Sequence, residues 1–279
     1  MGHPVAPEDK TNDISDYFGS ATQQALLLRG RQMFDVTRDD PSTSYYGRTV
    51  GLATPDVASF GKLVALTRLQ GYSSYLRVDA DHLSGVMDRL RAAGLTPGAY
   101  DRWEGGATAI HASQRLARSP LPKDLTLVWI RRDTPASVLA SFGTTALDCG
   151  VLPPSLAVLT GDIKPGCALV AVDRHGDVVG TAAAASILHP DCAEQRHFCW
   201  WGMLATRDDR RGAGLSMILG AQVLLEMNRR YGFTHFFTGV AGGNAASAAV
   251  CQRMGLERST DHIVTATDPA LVAGKSITK

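Results

Sequence analysis

At 279 residues the chain exceeds a typical single domain, and a starting expectation of about two domains is reasonable. Hydrophobic residues make up 44% and charged residues 20%, enough to fill cores without marking disorder. The formal net charge of +1 gives no electrostatic case for nucleic acid or a membrane surface as a partner.

Residues 1–14 are polar and proline-containing and read as a flexible tail, and Ala6 breaks the myristoylation pattern that Gly2 suggests. No secretory signal is visible, and the longest apolar runs, such as Val178 to Leu188, fall well short of the ~20 residues of a membrane-spanning helix. From 15 to 105 the pattern predicts a helix (Tyr17 to Phe34), a strand-like run (Gly47 to Thr54) and a second helix (Pro55 to Gln70). A strand (Ser74 to Val78), a helix (His82 to Ala93) and a short strand around Tyr100 follow. Residues 106–124, with Ser119-Pro120-Leu121-Pro122, read as a linker to a second domain over 125–279.

In that second half, Ala168 to Val172 and Val178 to Leu188 flank the turn Asp173-Arg174-His175-Gly176-Asp177 and predict a hairpin. A further strand, His197 to Thr206, leads into Arg211-Gly212-Ala213-Gly214-Leu215-Ser216. A helix then runs from about Gly214 to Tyr231, with Leu215, Ile218, Leu219, Val223, Leu224 and Met227 on one stripe. Two glycines around one alanine leave little side chain in the turn, so backbone N–H groups and the positive helix end can converge on a phosphate. It is neither a dinucleotide fingerprint, because position 217 is Met, nor a P-loop, because no Gly-Lys-Ser/Thr triplet is present. A plain tight turn, with Arg207, Arg210 and Arg211 balanced by Asp208 and Asp209, also accounts for this stretch taken alone. Phe233 to Val240 reads as a strand, and Asn244 caps a helix that carries Ala248, Val250, Cys251 and Met254 and stops at Gly255.

The hairpin with Val178-Val179-Gly180, the strand ending Leu204-Ala205-Thr206, the Arg-Gly-x-Gly loop, and Asn244, Ser247, Gly255 and Leu256 occur in one order. Over roughly Leu125 to Thr267 the chain thereby resembles the GNAT superfamily of N-acyltransferases. The resemblance implies an α/β fold with a mixed, mostly antiparallel central sheet flanked by helices. It implies acetyl-coenzyme A as co-substrate, with its pyrophosphate on Arg211, Gly212, Ala213, Gly214, Leu215 and Ser216. The pantetheine arm would run beside Leu204, Ala205 and Thr206 on a strand that splays from its neighbour, and Asn244 and Ser247 would face the cofactor. Gly51-Leu52-Ala53-Thr54 echoes Met203-Leu204-Ala205-Thr206, and Gly94-Leu95 echoes Gly255-Leu256, so the first half reads as a shortened repeat of the same fold without the phosphate loop. Packing on the active half, walling the acceptor site and mediating a homodimer all remain open roles for it.

The chain departs from the family pattern in two places: Asp209 stands where Gln or Arg is usual, and Cys251 where a Tyr is usual as the acid for the departing thiolate. A lysine-like amine with pKa about 10.4 costs on the order of 4 to 5 kcal/mol to deprotonate at pH 7, so a base is useful. Glu194 and His197 are the favoured bases, from the cluster His189, Asp191, Glu194 and His197, although a solvated loop explains these residues as well. Cys251 is either a leaving-group acid or a buried, inert thiol. Trp200 and Trp201 point to opposite faces, one into the core and the other toward an acceptor pocket. The acceptor is a small-molecule amine or a protein amino group, and its walls fall in the loops and helices of Thr134 to Leu159. The five cysteines, Cys149, Cys167, Cys192, Cys199 and Cys251, are odd in number without a Cys-x-x-Cys pair, which fits reduced thiols in a cytoplasm and leaves a metal site unsupported. Two competing readings are a catalytically impaired acyl-coenzyme A binding module and an interaction protein without cofactor.

Overall fold

The computed structural model describes residues 16–56, 58–192 and 197–272; the expected tail, 1–14, lies outside them, as does Glu194. The first half opens with α1 (Ala21–Thr37), whose start is held by a reciprocal cap in which Ser20 Oγ accepts from the Gln23 N–H and the Gln23 side chain accepts from the Ser20 N–H. Then come β1 (Thr43–Ser44), β2 (Gly51–Leu52), α2 (Ser59–Gln70), β3 (Tyr72–Val78), α3 (Ala80–Ala92) and β4 (Thr96–Gly105). The strand-like run Gly47 to Thr54 thus pairs over only two residues, because its first part is a buried loop, whereas the short strand around Tyr100 is ten residues long.

Residues 106–124, expected as the linker between the halves, are not irregular throughout. They hold α4 (Ala107–Leu116), which buries Ala109, Ala112 and Ser113. Alanine favours the helix, and only the part after Ser119 is irregular.

The second half adds β5 (Leu125–Trp129), α5 (Ala136–Asp148), the short α6 (Leu156–Leu159), β6 (Gly166–Asp173), β7 (Val178–Ser186) and β8 (Phe198–Thr206). After a 3-10 turn at Asp208–Arg210 follow α7 (Leu215–Tyr231), β9 (His235–Ala241), α8 (Ala245–Arg253) and β10 (Glu257–Thr267). Every residue of β6 is buried because both sheet faces are covered: Val170 and Ala168 belong to the core that contains Phe142 of α5, and Cys167, Leu169 and Ala171 to the core against α7. No described helix is long and apolar enough to cross a membrane.

All ten strands form one sheet in the order β1-β2-β3-β10-β4-β9-β8-β7-β6-β5. Its pairs are antiparallel except β2 with β3 and β8 with β9, and these two parallel pairs occupy equivalent places on either side of the β10–β4 centre. Exchanging the halves carries β3 onto β9, β2 onto β8 and β4 onto β10, so the sheet is a mutual insertion of two repeats. Strand β10 of the second half lies between β3 and β4 of the first, and β4 lies between β10 and β9 of the second. Each inserted strand finds both hydrogen-bonding partners only in the presence of the other half.

That interdigitation predicts one cooperative unfolding transition for the whole chain. A fragment carrying residues 106–279 lacks both neighbours of β10 and is expected to show no cooperative thermal melt by far-ultraviolet circular dichroism. A fragment that melts cooperatively near the midpoint of the full chain would contradict the sheet's dependence on both halves.

Candidate functional site

The turn from β8 into α7 is built by two glycines in the left-handed region, Gly212 (φ 82°) and Gly214 (φ 74°), which side chains rarely adopt. A Cβ placed on Gly212 would meet nothing within 4 Å, so the corner is open rather than plugged. The first bonds into α7 are the Met217 and Ile218 N–H groups to the Gly214 carbonyl. The five preceding amides, Gly212 to Ser216, have no hydrogen-bond partner among the described residues. They sit at the positive end of a 17-residue helix, which gives the turn the form of an anion cradle. The flanking arginines contribute little net charge to it: Arg211 pairs with Asp208 at 2.6 Å, Arg210 with Asp124 at 2.7 Å and Arg207 with Asp209 at 2.7 Å. The hydrogen bond from Arg207 also holds the Asp209 carboxyl below its ordinary pKa. Asp209 is therefore a compensated charge beside the cradle, not an unopposed one.

From the cradle a cleft of about 720 Å³ runs between β8 and β9 toward the first half. Its floor opens because β8 and β9 pair only from Phe198↔His235 to Trp200↔Phe237 and then separate, leaving the β9-facing edge of β8 without a strand partner. On the other edge, a bulge between the Ala183↔Gly202 and Thr181↔Ala205 pairs puts Met203 at φ 56°, the sole non-glycine in the left-handed region among the described residues. The Thr181 hydroxyl donates to the Met203 carbonyl at 2.7 Å and fixes the bulge. Bulges re-aim a strand's groups next to functional sites.

Of the residues singled out in the sequence, Leu204, Ala205, Thr206, Arg211, Gly212, Gly214, Leu215, Ser216, Asn244, Ser247 and Cys251 line this one cleft. The hydroxyls of Thr206 and Ser216 lie 3.0 Å apart and tie the strand end to the first turn of α7. Asn244 caps α8 by accepting from the Ser247 N–H at 3.0 Å. Ala213 is exposed at the cradle. The expected base His197 is not brought to the cleft: it is exposed at the start of β8, where its carbonyl accepts from the Thr234 and His235 N–H groups. Glu194 lies outside the described residues. Among the lining residues there is no Asp, Glu or His.

The far end of the cleft comes from the first half and was not read as a site in the sequence. The β1–β2 loop delivers Tyr46 and Arg48, which meet Trp200 of β8; the Tyr46 and Trp200 rings are 4.8 Å apart. Trp201, on the opposite face, is fully buried and donates from Nε1 to the Gly220 carbonyl of α7 at 2.9 Å. The signal that would have found this wall is the sequence Tyr45-Tyr46-Gly47-Arg48, a dense aromatic and basic group in a loop.

The equivalent corner of the first half, between β2 and α2, is closed. There the Asp56 carboxylate accepts from the Ala58 and Ser59 N–H groups at 2.8 and 2.7 Å, so the chain's own anion occupies the start of α2. Among the described residues no group of three or more His, Cys, Asp or Glu could hold a metal ion.

No protein-family model and no curated protein matches the sequence. Solved structures do. The chain is similar to a GCN5-related N-acetyltransferase from Kribbella flavida at 16% identity and a TM-score of 0.52, over 88% of this chain and 95% of that one. It is similar to a GCN5-related N-acetyltransferase-like protein from Streptococcus suis 89/1591 at 15% identity and a TM-score of 0.51, over 86% and 98% of the two chains. A tandem GNAT protein from the clavulanic acid biosynthesis pathway is matched at 15% identity and a TM-score of 0.50, over 76% of this chain and 70% of that one. The chain therefore has the GNAT fold, with two repeats in one sheet.

The remaining expected residue, Cys251, is 2% exposed and belongs to the core beneath α7. Burial pushes its thiol up to about 12, which makes it a poor proton donor and agrees with the inert reading. Burial likewise raises Cys167 to about 12 and Cys199 well above its ordinary value. A thiol whose folded pKa is raised contributes stability that is complete below its unfolded pKa, near 8.5, and is lost as pH climbs toward 12. Resistance to denaturant should therefore fall from about pH 9 upward. Native iodoacetamide labelling at pH 8 should spare Cys251 until denaturant is added; rapid labelling of Cys251 in the folded protein would restore it as a candidate acid.

Proposed function

We propose that the chain is an acyl-coenzyme A dependent N-acyltransferase that moves an acetyl group from acetyl-coenzyme A to a primary amine by direct attack. The observation that carries this reading is the run of amides from Gly212 to Ser216 without a hydrogen-bond partner among the described residues, at the positive end of α7, where Gly212, Gly214, Leu215 and Ser216 line the cleft. A diphosphate is the common ligand whose charge and size suit such a cradle. The unpaired edge of β8 beside Leu204, Ala205 and Thr206 suits the amide groups of a pantetheine arm, as an added strand would.

In this reading the amine nitrogen forms a C–N bond with the thioester carbonyl, whose oxygen becomes an oxyanion facing main-chain N–H groups at the β8 bulge. The C–S bond then breaks, the coenzyme thiolate leaves, and it takes up one proton. An acceptor arriving as an ammonium ion gives up two protons in all, one to the thiolate and one to solvent. With no carboxylate or imidazole lining the cleft among the described residues, water carries the second proton, and the His197 base is not needed. The first half serves as a non-catalytic repeat: its own anion site is filled by Asp56, and it contributes β4 and the aromatic end of the cleft.

Gly212→Asp tests the cradle by installing the arrangement that closes α2. Aspartate tolerates the left-handed region better than most side chains, so a modest stability cost, about 1 kcal/mol, is expected. Isothermal titration should show coenzyme A binding to the wild-type chain, weakened about tenfold or more in the variant by the carboxylate in the cradle. Equal affinity in both, or no binding to the wild type, would contradict the proposal. Tight binding without transfer to any amine would instead mark an impaired binding module.

A further inference from the structure

Arg48 is 6% exposed, lines the acceptor end of the cleft and makes no ion pair with any described residue. Its Nη1 donates to the Tyr46 hydroxyl at 3.1 Å, and its guanidinium carbon lies 5.2 Å from the Tyr46 ring centroid and 5.5 Å from that of Trp200. Its Nε is buried with no hydrogen-bond partner among the described residues. The other large buried arginine behaves differently: Arg102, 1% exposed, pairs with Glu104 at 3.0 Å and donates to the Leu76 carbonyl at 2.9 Å. A buried cation is ordinarily paired, because taking an uncompensated charge out of water is expensive.

The scaffold holds Arg48 in this position from several sides. A Cβ on Gly30 of α1 would come within 1.9 Å of the Arg48 carbonyl oxygen, so the helix backbone rests directly on this residue. The Ser155 N–H donates to the Gly47 carbonyl at 2.8 Å, and the Tyr45 N–H donates to the Ile187 carbonyl at 2.7 Å. Lys164 Nζ bonds both the Tyr45 and Ile187 carbonyls, at 2.7 and 3.1 Å. The loop belongs to the first repeat, yet the second repeat fixes it over Trp200.

We infer that Arg48 is the specificity-determining residue for the acceptor, and that the acceptor is an amine whose molecule also carries a carboxylate held by this guanidinium. The inference rests on the acyltransferase reading above. A guanidinium fork matches a carboxylate in shape and hydrogen bonding, and its single positive charge is balanced by one singly charged anion. The cradle arginines are already paired with aspartates, so among the described residues Arg48 is the buried arginine of the cleft without an ion pair, at the opposite end from the diphosphate. The absence of Asp and Glu from the described lining disfavours polyamine acceptors, which would need anionic walls.

The test is a panel of amino carboxylic acids of increasing amine-to-carboxylate spacing with acetyl-coenzyme A, each beside its methyl ester and an aminoalkyl phosphonate. In the wild type the best free acid should exceed its ester in kcat/KM by about 30-fold or more, as expected for removing one partner of a buried charge pair. Arg48→Met should bring the acid-to-ester ratio toward one while leaving the KM for acetyl-coenzyme A unchanged, and Arg48→Lys should recover part of the preference. Equal turnover of acid and ester by the wild type, an unchanged ratio in Arg48→Met, or a preference for the phosphonate would overturn the carboxylate assignment. The wild-type comparison decides the matter even if the Arg48→Met protein does not fold. Should no panel member be acylated, thermal stabilisation of the coenzyme A complex by N-acetyl amino acids over their methyl esters supports the inference, and equal or no stabilisation by both overturns it. Failure of coenzyme A to bind at all would sink the acyltransferase reading instead, and titration reads that separately.

Discussion

Five consecutive main-chain N–H groups without partners among the described residues, gathered where a long helix begins, are the constraint around which this molecule is organised. Backbone donors are rarely left unsatisfied, so such a run is either wetted by solvent or kept for an anion. Here it is kept open by two left-handed glycines and by a strand whose pairing with its parallel neighbour ends at Trp200, well before the turn. The contrast within the chain is instructive. The first repeat begins its corresponding helix on the carboxylate of Asp56, which satisfies two amides internally and removes the site. One corner of a pseudo-symmetric pair is thus filled by the chain itself, and the other is available.

The mutual insertion of β4 and β10 gives the second repeat more than stability. Because the halves share one sheet, the β1–β2 loop of the first repeat is fixed across from Trp200 of the second, and a cleft that starts at the cradle ends on residues from the other half. Neither half alone would hold both ends of it. This arrangement divides the cleft: main-chain groups of the second repeat face the end at the α7 turn, while side chains of the first repeat shape the other. Main-chain sites depend on turn geometry and tolerate little change, whereas a wall of side chains can be altered without disturbing the sheet.

Much of the second half was legible in the sequence. Local signals carried it: the Asp173-to-Asp177 turn caps its own hairpin, the apolar stripe of α7 is strictly helical, and Asn244 caps α8 as its position suggests. The echo of Gly51-Leu52 with Met203-Leu204 was also informative, since both stretches end strands that pair in parallel with the next strand. What escaped reading was long-range. Strand exchange leaves no local trace, because β10 reads as a strand whichever neighbours it has. The helix at Ala107–Leu116 was hidden by the prolines that follow it. Proximity in sequence placed His197 near the chemistry, but it is exposed at the start of β8 and is not among the residues that line the cleft. Arg48 lay in a short loop of the repeat judged inactive, more than 150 residues from Trp200, and only the fold brings them together.

The most direct measurement is amide-resolved nuclear magnetic resonance of the whole chain during titration with coenzyme A. The amide resonances of Gly212, Ala213, Gly214, Leu215 and Ser216 should move together, toward the positions of strongly hydrogen-bonded donors, and saturate at a single affinity. Inorganic pyrophosphate should reproduce their displacement but not that of the β8 edge. If coenzyme A binds while these five amides stay where they are, or if it does not bind, the cradle is not an anion site and the acyl-donor assignment fails.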